Sequence, residues 1–240
     1  MKRTAKIEHA SLTRFDWRQV GEQVSEHGAA VLQGLIPAQS CKQIAALYDQ
    51  TPLFRSHINM TRHGFGRGEY RYFAYPLPAW LATLRAELYA RLVPIANQWA
   101  DQLGYERSFP DSHERYIERC HAAGQLRPTP LLLRYVAGDY NCLHQDLYGA
   151  EWFPLQVVVL LSAPGEDFDG GEFLIVEQRP RAQSKGSVIA LKQGDAAVIA
   201  VNHRPRRSAL GYSRVTLRHG VSPLTAGRRH TLGIVFHDAA

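Results

Sequence analysis

The apolar positions of this chain change their period about halfway along. Up to residue 125 they recur mostly every three or four residues, the spacing of helices with one face buried. "RQVGEQVSEHG" (18–28) predicts a helix stopped at Gly28, and "AQSCKQIAALYDQ" (38–50) a second. The long "PAWLATLRAELYARLVPIANQWADQLG" (78–104) places Leu81, Leu84, Leu88, Leu92, Ile95 and Trp99 at helical spacing, with a kink expected at Pro94. "DSHERYIERCHAAG" (111–124) follows, with Asp111 or Ser112 as N-cap and Gly124 as stop. From Thr129 onward the pattern becomes short β-type runs between turn residues: "TPLLLRYV", "FPLQVVVLLS", "GEFLIVE", "SVIAL", "DAAVIAV", "SRVTLRHGV" and "RHTLGIVFH". Seven or eight such strands predict a sandwich or jelly roll. The expected fold class is therefore α+β. Its β core covers 127–240, and a helical N-terminal region, 1–126, packs on it as part of one integrated domain.

Composition narrows the classes. A chain of 240 residues, 45% hydrophobic, can bury a substantial core. No apolar run approaches the roughly 18 residues of a membrane span, and none follows the N-terminal charges as in a signal peptide, so a cytoplasmic location is expected. Three cysteines, Cys41, Cys120 and Cys142, with no CxxC pair argue against a disulfide scaffold or zinc ribbon. A net charge of +6 suggests a polyanionic partner. The stretch "FRSHINMTRHGFGRGEYRYFAY" (54–75) sharpens that suggestion. It interleaves Arg62, Arg67 and Arg71 with Tyr70, Tyr72 and other rings, and its one acid is Glu69. Cations for phosphates and rings for bases suit single-stranded nucleic acid. Gly64, Gly66 and Gly68 predict a mobile loop that closes over a substrate. The same pattern also fits a solvated loop whose rings pack beneath the sandwich.

Candidate chemistry begins in "YNCLHQDLYGAEW" (140–152). His144 and Asp146, two apart on an extended segment, project to one face and reach one point in space. A third metal ligand must come from elsewhere, and His203 and His219 are the serious candidates among eleven histidines. Two imidazoles and one carboxylate leave three coordination positions open, the pattern of non-haem Fe(II) oxygenases; zinc more often takes three histidines or a closed set of four ligands. Ten residues past His219, on the next predicted strand, stands Arg229, with Thr231 on the same face. A guanidinium near the metal suits a co-substrate that chelates iron at one end and carries a carboxylate at the other. The arginines beside His203 (Arg204, Arg206, Arg207) are expected in a turn, so the spacing favours His219. Gly170 and Gly171 read as a tight hairpin turn.

Taken together, "HQD" (144–146), "GGEF" (170–173) and "HGVSPLTAGRRHTL" (219–232) resemble the 2-oxoglutarate/Fe(II)-dependent oxygenases, over roughly Leu131 to Phe236. The longer "RYVAGDYNCLHQDLYGAEWFPLQVVVLLS" and "GEYRYFAYPLPAWLATLRAELY" are similar to a bacterial branch of oxygenases acting on methylated or damaged DNA, distantly AlkB-like. The resemblance implies a double-stranded β-helix (jelly roll), with iron held by His144, Asp146 and His219. It also implies 2-oxoglutarate on Arg229 with Tyr135 as a second contact, and O2 as co-substrate. AlkB-type dealkylases carry a second arginine six residues after the anchoring one, where this chain has Val235. The expected function is oxidative demethylation or hydroxylation of N-alkylated nucleic acid, contacted by Arg62, Arg67, Arg71, Tyr70 and Tyr72. A hydroxylase of a protein side chain or small anionic metabolite, and a non-catalytic binding module, remain as alternatives. The ligand set does not choose the carbon oxidised or the oligomeric state.

Overall fold

The computed structural model describes residues 7–179, 181–209 and 211–240. Its first half contains α1 (Trp17–His27), β1 (Ala29–Leu32), α2 (Ala38–Ala46), β2 (Phe54–Asn59), β3 (Gly66–Arg67), β4 (Glu69–Phe73), α3 (Ala79–Leu103) and α4 (His113–Ala122). Ten strands follow: β5 (Leu131–Val136), β6 (Tyr140–His144), β7 (Leu155–Leu160), β8 (Phe168–Gly170), β9 (Phe173–Gln178), β10 (Lys185–Ile189), β11 (Ala196–Ala200), β12 (His203–Ser208), β13 (Gly211–Val221) and β14 (Leu224–Ile234). The four helices stand where the periodicity places them. The Asp16 carboxylate accepts from the backbone N–H groups of Arg18 and Gln19, which starts α1, and left-handed Gly28 ends it. Ser112 precedes α4 without a side-chain capping bond. Helix α3 continues through Pro94 to Leu103 and buries Leu81, Leu84, Leu88 and Leu92 against the sheets.

Two sheets form the core. One has the order β1-β11-β7-β14-β5-β4-β2, with β8 joined to β14; the other runs β10-β9-β13-β6-β3, with β12 joined to β13. Strand β7, "LQVVVL", is buried at every position, as a central strand covered on both faces must be. Its one polar residue is Gln156.

Helices predominate in the first half as expected, and four short strands that the periodicity did not show join the sheets. Strand β1 lengthens the larger sheet at one end, β4 and β2 lengthen it at the other, and β3 joins the smaller sheet. Residues 54–75 form a β-hairpin, β2 against β4, with β3 in its connection. Arg71 pairs across to Leu132 and Gly66 to Asn141. Tyrosine and arginine alternate in "EYRYF", which hides a strand behind a basic composition. Arg204, Arg206 and Arg207 lie in β12, paired to β13, and not in a turn. Gly170 and Gly171, both at positive φ, carry the chain from β8 in one sheet to β9 in the other rather than around a hairpin.

Helix α3 is fastened to the end of the larger sheet by charge. The Arg85 guanidinium, 1% exposed, donates to the Val235 carbonyl at 2.9 Å and to Asp238 Oδ1 at 2.9 Å. Tyr75 donates to Asp238 Oδ2 at 2.7 Å, and His121 Nε2 lies 3.0 Å from it. This buried pair is satisfied on all sides, the condition under which removing either partner costs several kcal/mol.

Candidate active site

Strand β13 runs antiparallel to β6 with His219 directly opposite His144. Opposed residues of an antiparallel pair share a face, and the two rings sit 4.2 Å apart, centroid to centroid. Asp146 lies just beyond the end of β6. Its Oδ1 is 3.6 Å from His144 Nε2, and its Oδ2 is 3.4 Å from His219 Nε2. One donor atom from each of the three residues falls within 4.8 Å of the others. His203 stands apart, beside the Tyr105 hydroxyl at 3.3 Å.

His144 is oriented to offer a lone pair. His144 Nδ1 is 2.8 Å from the Cys142 carbonyl, which can only accept, so its proton sits on Nδ1 and Nε2 is free. His219 Nε2 faces Asp146 Oδ2 and also lies 3.2 Å from the side-chain amide nitrogen of Gln156. Burial alone would raise the Asp146 pKa, but His144, His219 and the Tyr148 hydroxyl hold it well below the usual carboxylate range. Tyr148 donates to Asp146 Oδ1 at 2.5 Å. Two imidazoles and a fixed carboxylate facing one point fit a divalent metal with open positions.

Arg229 sits opposite Tyr135 across β14 and β5, and Thr231 opposite Leu133. Arg229 and Thr231, two apart, turn the same way, as predicted. Arg229 is 2% exposed, yet its Nε and Nη1 have no hydrogen-bond partner. Its guanidinium lies 5.7 Å from the Tyr135 ring centre and 5.8 Å from that of Phe168. Burial pushes its pKa down to about 10. A buried cation with free donors costs several kcal/mol unless an anion joins it, so the residues present fit a ligand carboxylate. The Tyr135 hydroxyl accepts from Asn141 at 3.3 Å. Gly171, at φ 62°, packs close here: a Cβ on it would stand 2.6 Å from Leu224 Cδ1 and 3.2 Å from Arg229 Cδ.

The triad, Arg229, Tyr135 and Thr231 all line one cavity of about 290 Å³. Tyr70, Tyr72 and Phe65 form its aromatic wall, and Val235 lines it too. Arg71, alternating with Tyr70 and Tyr72, points to the opposite face of β4. There its guanidinium lies 5.0 Å from the Tyr48 ring centre and donates to Thr51 Oγ1 at 3.2 Å. It is therefore placed away from a substrate in the cavity. Arg67 pairs with Asp139 at 3.3 Å, and Arg62 is exposed at the end of the hairpin. Cys142 lines the cavity and is exposed. Sequence reasoning missed Tyr148 and Gln156. A lone glutamine in an otherwise apolar strand was the available signal for the second; nothing in the sequence distinguished Tyr148 from its neighbours.

The comparisons with known proteins agree with this geometry. A family described as "Oxygenase, catalysing oxidative methylation of damaged DNA" matches residues 68–239. Uncharacterized proteins of two Mycobacterium tuberculosis strains, CDC 1551 / Oshkosh and H37Rv, are each 49% identical over 168 residues, 70% of this chain and 72% of theirs. Among solved structures, a prolyl-4-hydroxylase of Pseudomonas putida is similar in fold (TM-score 0.57, 13% identity, 94% of this chain and 100% of that one). So is a 2OG-Fe(II) oxygenase family oxidoreductase of Burkholderia pseudomallei (0.54, 20%, 99% of each). A Trichoplax adhaerens prolyl hydroxylase, solved with a peptide of hypoxia inducible factor, matches at 0.59 and 15% identity over 92% of this chain and 89% of that one. At such identities these structures show the fold, the double-stranded β-helix of 2-oxoglutarate oxygenases. With the family match spanning most of its length, this chain belongs to that oxygenase family.

Proposed function

We propose that the chain is an Fe(II)- and 2-oxoglutarate-dependent dioxygenase that oxidises an alkyl group on a nucleic-acid base. The single observation that carries the cofactor reading is the buried, unpartnered Arg229 sharing one cavity with His144, Asp146 and His219. In this reading the triad would hold iron, and Arg229 would take the far carboxylate of 2-oxoglutarate, with Tyr135 and Thr231 nearby. When bound, the pair supplies with O2 an oxidant able to hydroxylate an unactivated C–H bond, 2-oxoglutarate leaving as succinate and CO2. The protein's own residues orient and exclude. Tyr148 fixes Asp146, Gln156 packs beside His219, and the aromatic and aliphatic walls keep water from the reacting carbon.

The nucleic-acid substrate is supported by the family description and by the aromatic wall of Tyr70 and Tyr72 in the cavity. Hydroxylation of an N-methyl group gives N–CH2OH, which loses formaldehyde and leaves N–H. The test is succinate and formaldehyde release by Fe(II)-loaded protein, with N-methylated single-stranded DNA added or omitted. Matched release that needs the oligonucleotide is expected. Succinate indifferent to DNA would redirect the search to protein side chains or anionic metabolites, and its complete absence would overturn the catalytic reading.

A further inference from the structure

Removing one base from a stack leaves its neighbour with an uncovered face, and a protein that takes the base must cover that face. At the cavity mouth Phe65 is 48% exposed, and beside it on β6 Leu143 is 43% exposed; both line the entrance. Exposed large apolar side chains gathered at one place mark a binding surface. The Phe65 ring stacks on His63, centroids 5.3 Å apart and planes 20° from parallel. Arg62, next to this pair, makes no ion pair among the described residues. The neighbourhood is thus flat, apolar and positively charged.

Nor is Phe65 an idle loop tip. Its N–H donates to the Met60 carbonyl at 3.2 Å, and its carbonyl accepts from Cys142 N–H at 2.9 Å. Gly66 follows at φ 127°, pressed so close to β6 that a Cβ would stand 2.5 Å from the Tyr140 carbonyl oxygen. The ring is therefore held at a fixed height over the strand that carries His144.

We propose that Phe65, backed by His63, is the stacking platform for the nucleobase next to the one oxidised, with Arg62 on the intervening phosphate. The inference rests on the nucleic-acid reading above and adds the residues that read the strand at the cavity mouth. A flat ring supported by a second, nearly parallel ring, beside an unpaired cation, complements a base and its phosphate; an apolar peptide would have no use for the cation.

The test is fluorescence-anisotropy titration of the full-length protein with a labelled 12-nucleotide single strand carrying one 1-methyladenine. A second strand has an abasic site beside that base. Phe65→Ala is expected to weaken binding of the intact strand roughly 5- to 100-fold, the loss typical of one stacked base, and Phe65→Trp to retain it. The abasic strand should bind wild type more weakly by a similar factor, with Phe65→Ala adding no further loss. Equal binding by wild type and Phe65→Ala, or losses that simply multiply, would overturn the platform and leave the nucleic-acid reading standing. Failure of wild type to bind either strand would remove both.

Discussion

At the scale of single residues, the site is built from side chains whose needs are not met by the protein alone. Arg229 is the plainest. Its free donors match a carboxylate in a planar, paired geometry that an ammonium cannot reproduce. Arg229→Lys is therefore expected to weaken 2-oxoglutarate binding at least 10-fold despite keeping the charge, as calorimetric titration of the metal-loaded protein would show. Tyr148 acts through another group, and Tyr148→Phe should lower iron affinity roughly 10- to 100-fold, the usual effect of losing a partner to a metal ligand. Competition with a chromogenic chelator measures that directly. His144, Asp146, His219 and Arg229 were legible in the sequence because their chemistry depends on residue type and on short, fixed spacings. Tyr148 and Gln156 were much less so, since their roles come from packing between segments far apart in the chain.

Elements decide which of these residues meet. Strand alternation turns Tyr70 and Tyr72 into the cavity and Arg71 away from it, which a reading by composition cannot resolve. Gly66 is where β3 presses onto β6. Gly66→Ala would force a Cβ into the Tyr140 carbonyl at an unfavourable φ, and should destabilise the protein by about 1–3 kcal/mol in urea unfolding. In β7, Gln156 interrupts a buried apolar strand with an Oε1 that has no partner. Gln156→Leu removes that buried, unmet acceptor, so it should raise the Tm of the metal-free protein while impairing turnover. The helices were predictable because each declares itself locally, by periodicity and stop signals. The added strands were not, because β1 to β4 are defined by the partners they find across the sheet.

For the whole molecule, burial of neutral histidines contributes to the acid limit of stability. Burial lowers the His113 pKa from 6.5 to about 3, with Arg85 adding to the effect. It lowers that of His230 from 6.5 to about 4, with Arg134 and Arg228 adding. Both groups take up protons more readily when unfolded, so their contribution is whole above about pH 6.5 and is lost as the pH falls toward 4. Thermal unfolding followed between those limits should show Tm declining with acidity, and His113→Gln should make the decline shallower.

The larger sheet has a further consequence. Its strand β5, which faces Arg229, is bounded on the outer side by β4, contributed from before α3. A fragment starting at residue 127 would keep every iron and 2-oxoglutarate residue named above, yet present β5 with a bare row of backbone donors and acceptors. Such an edge is a template for intermolecular pairing. The excised half should self-associate rather than work as a minimal enzyme, so the aromatic hairpin also guards the catalytic half against aggregation.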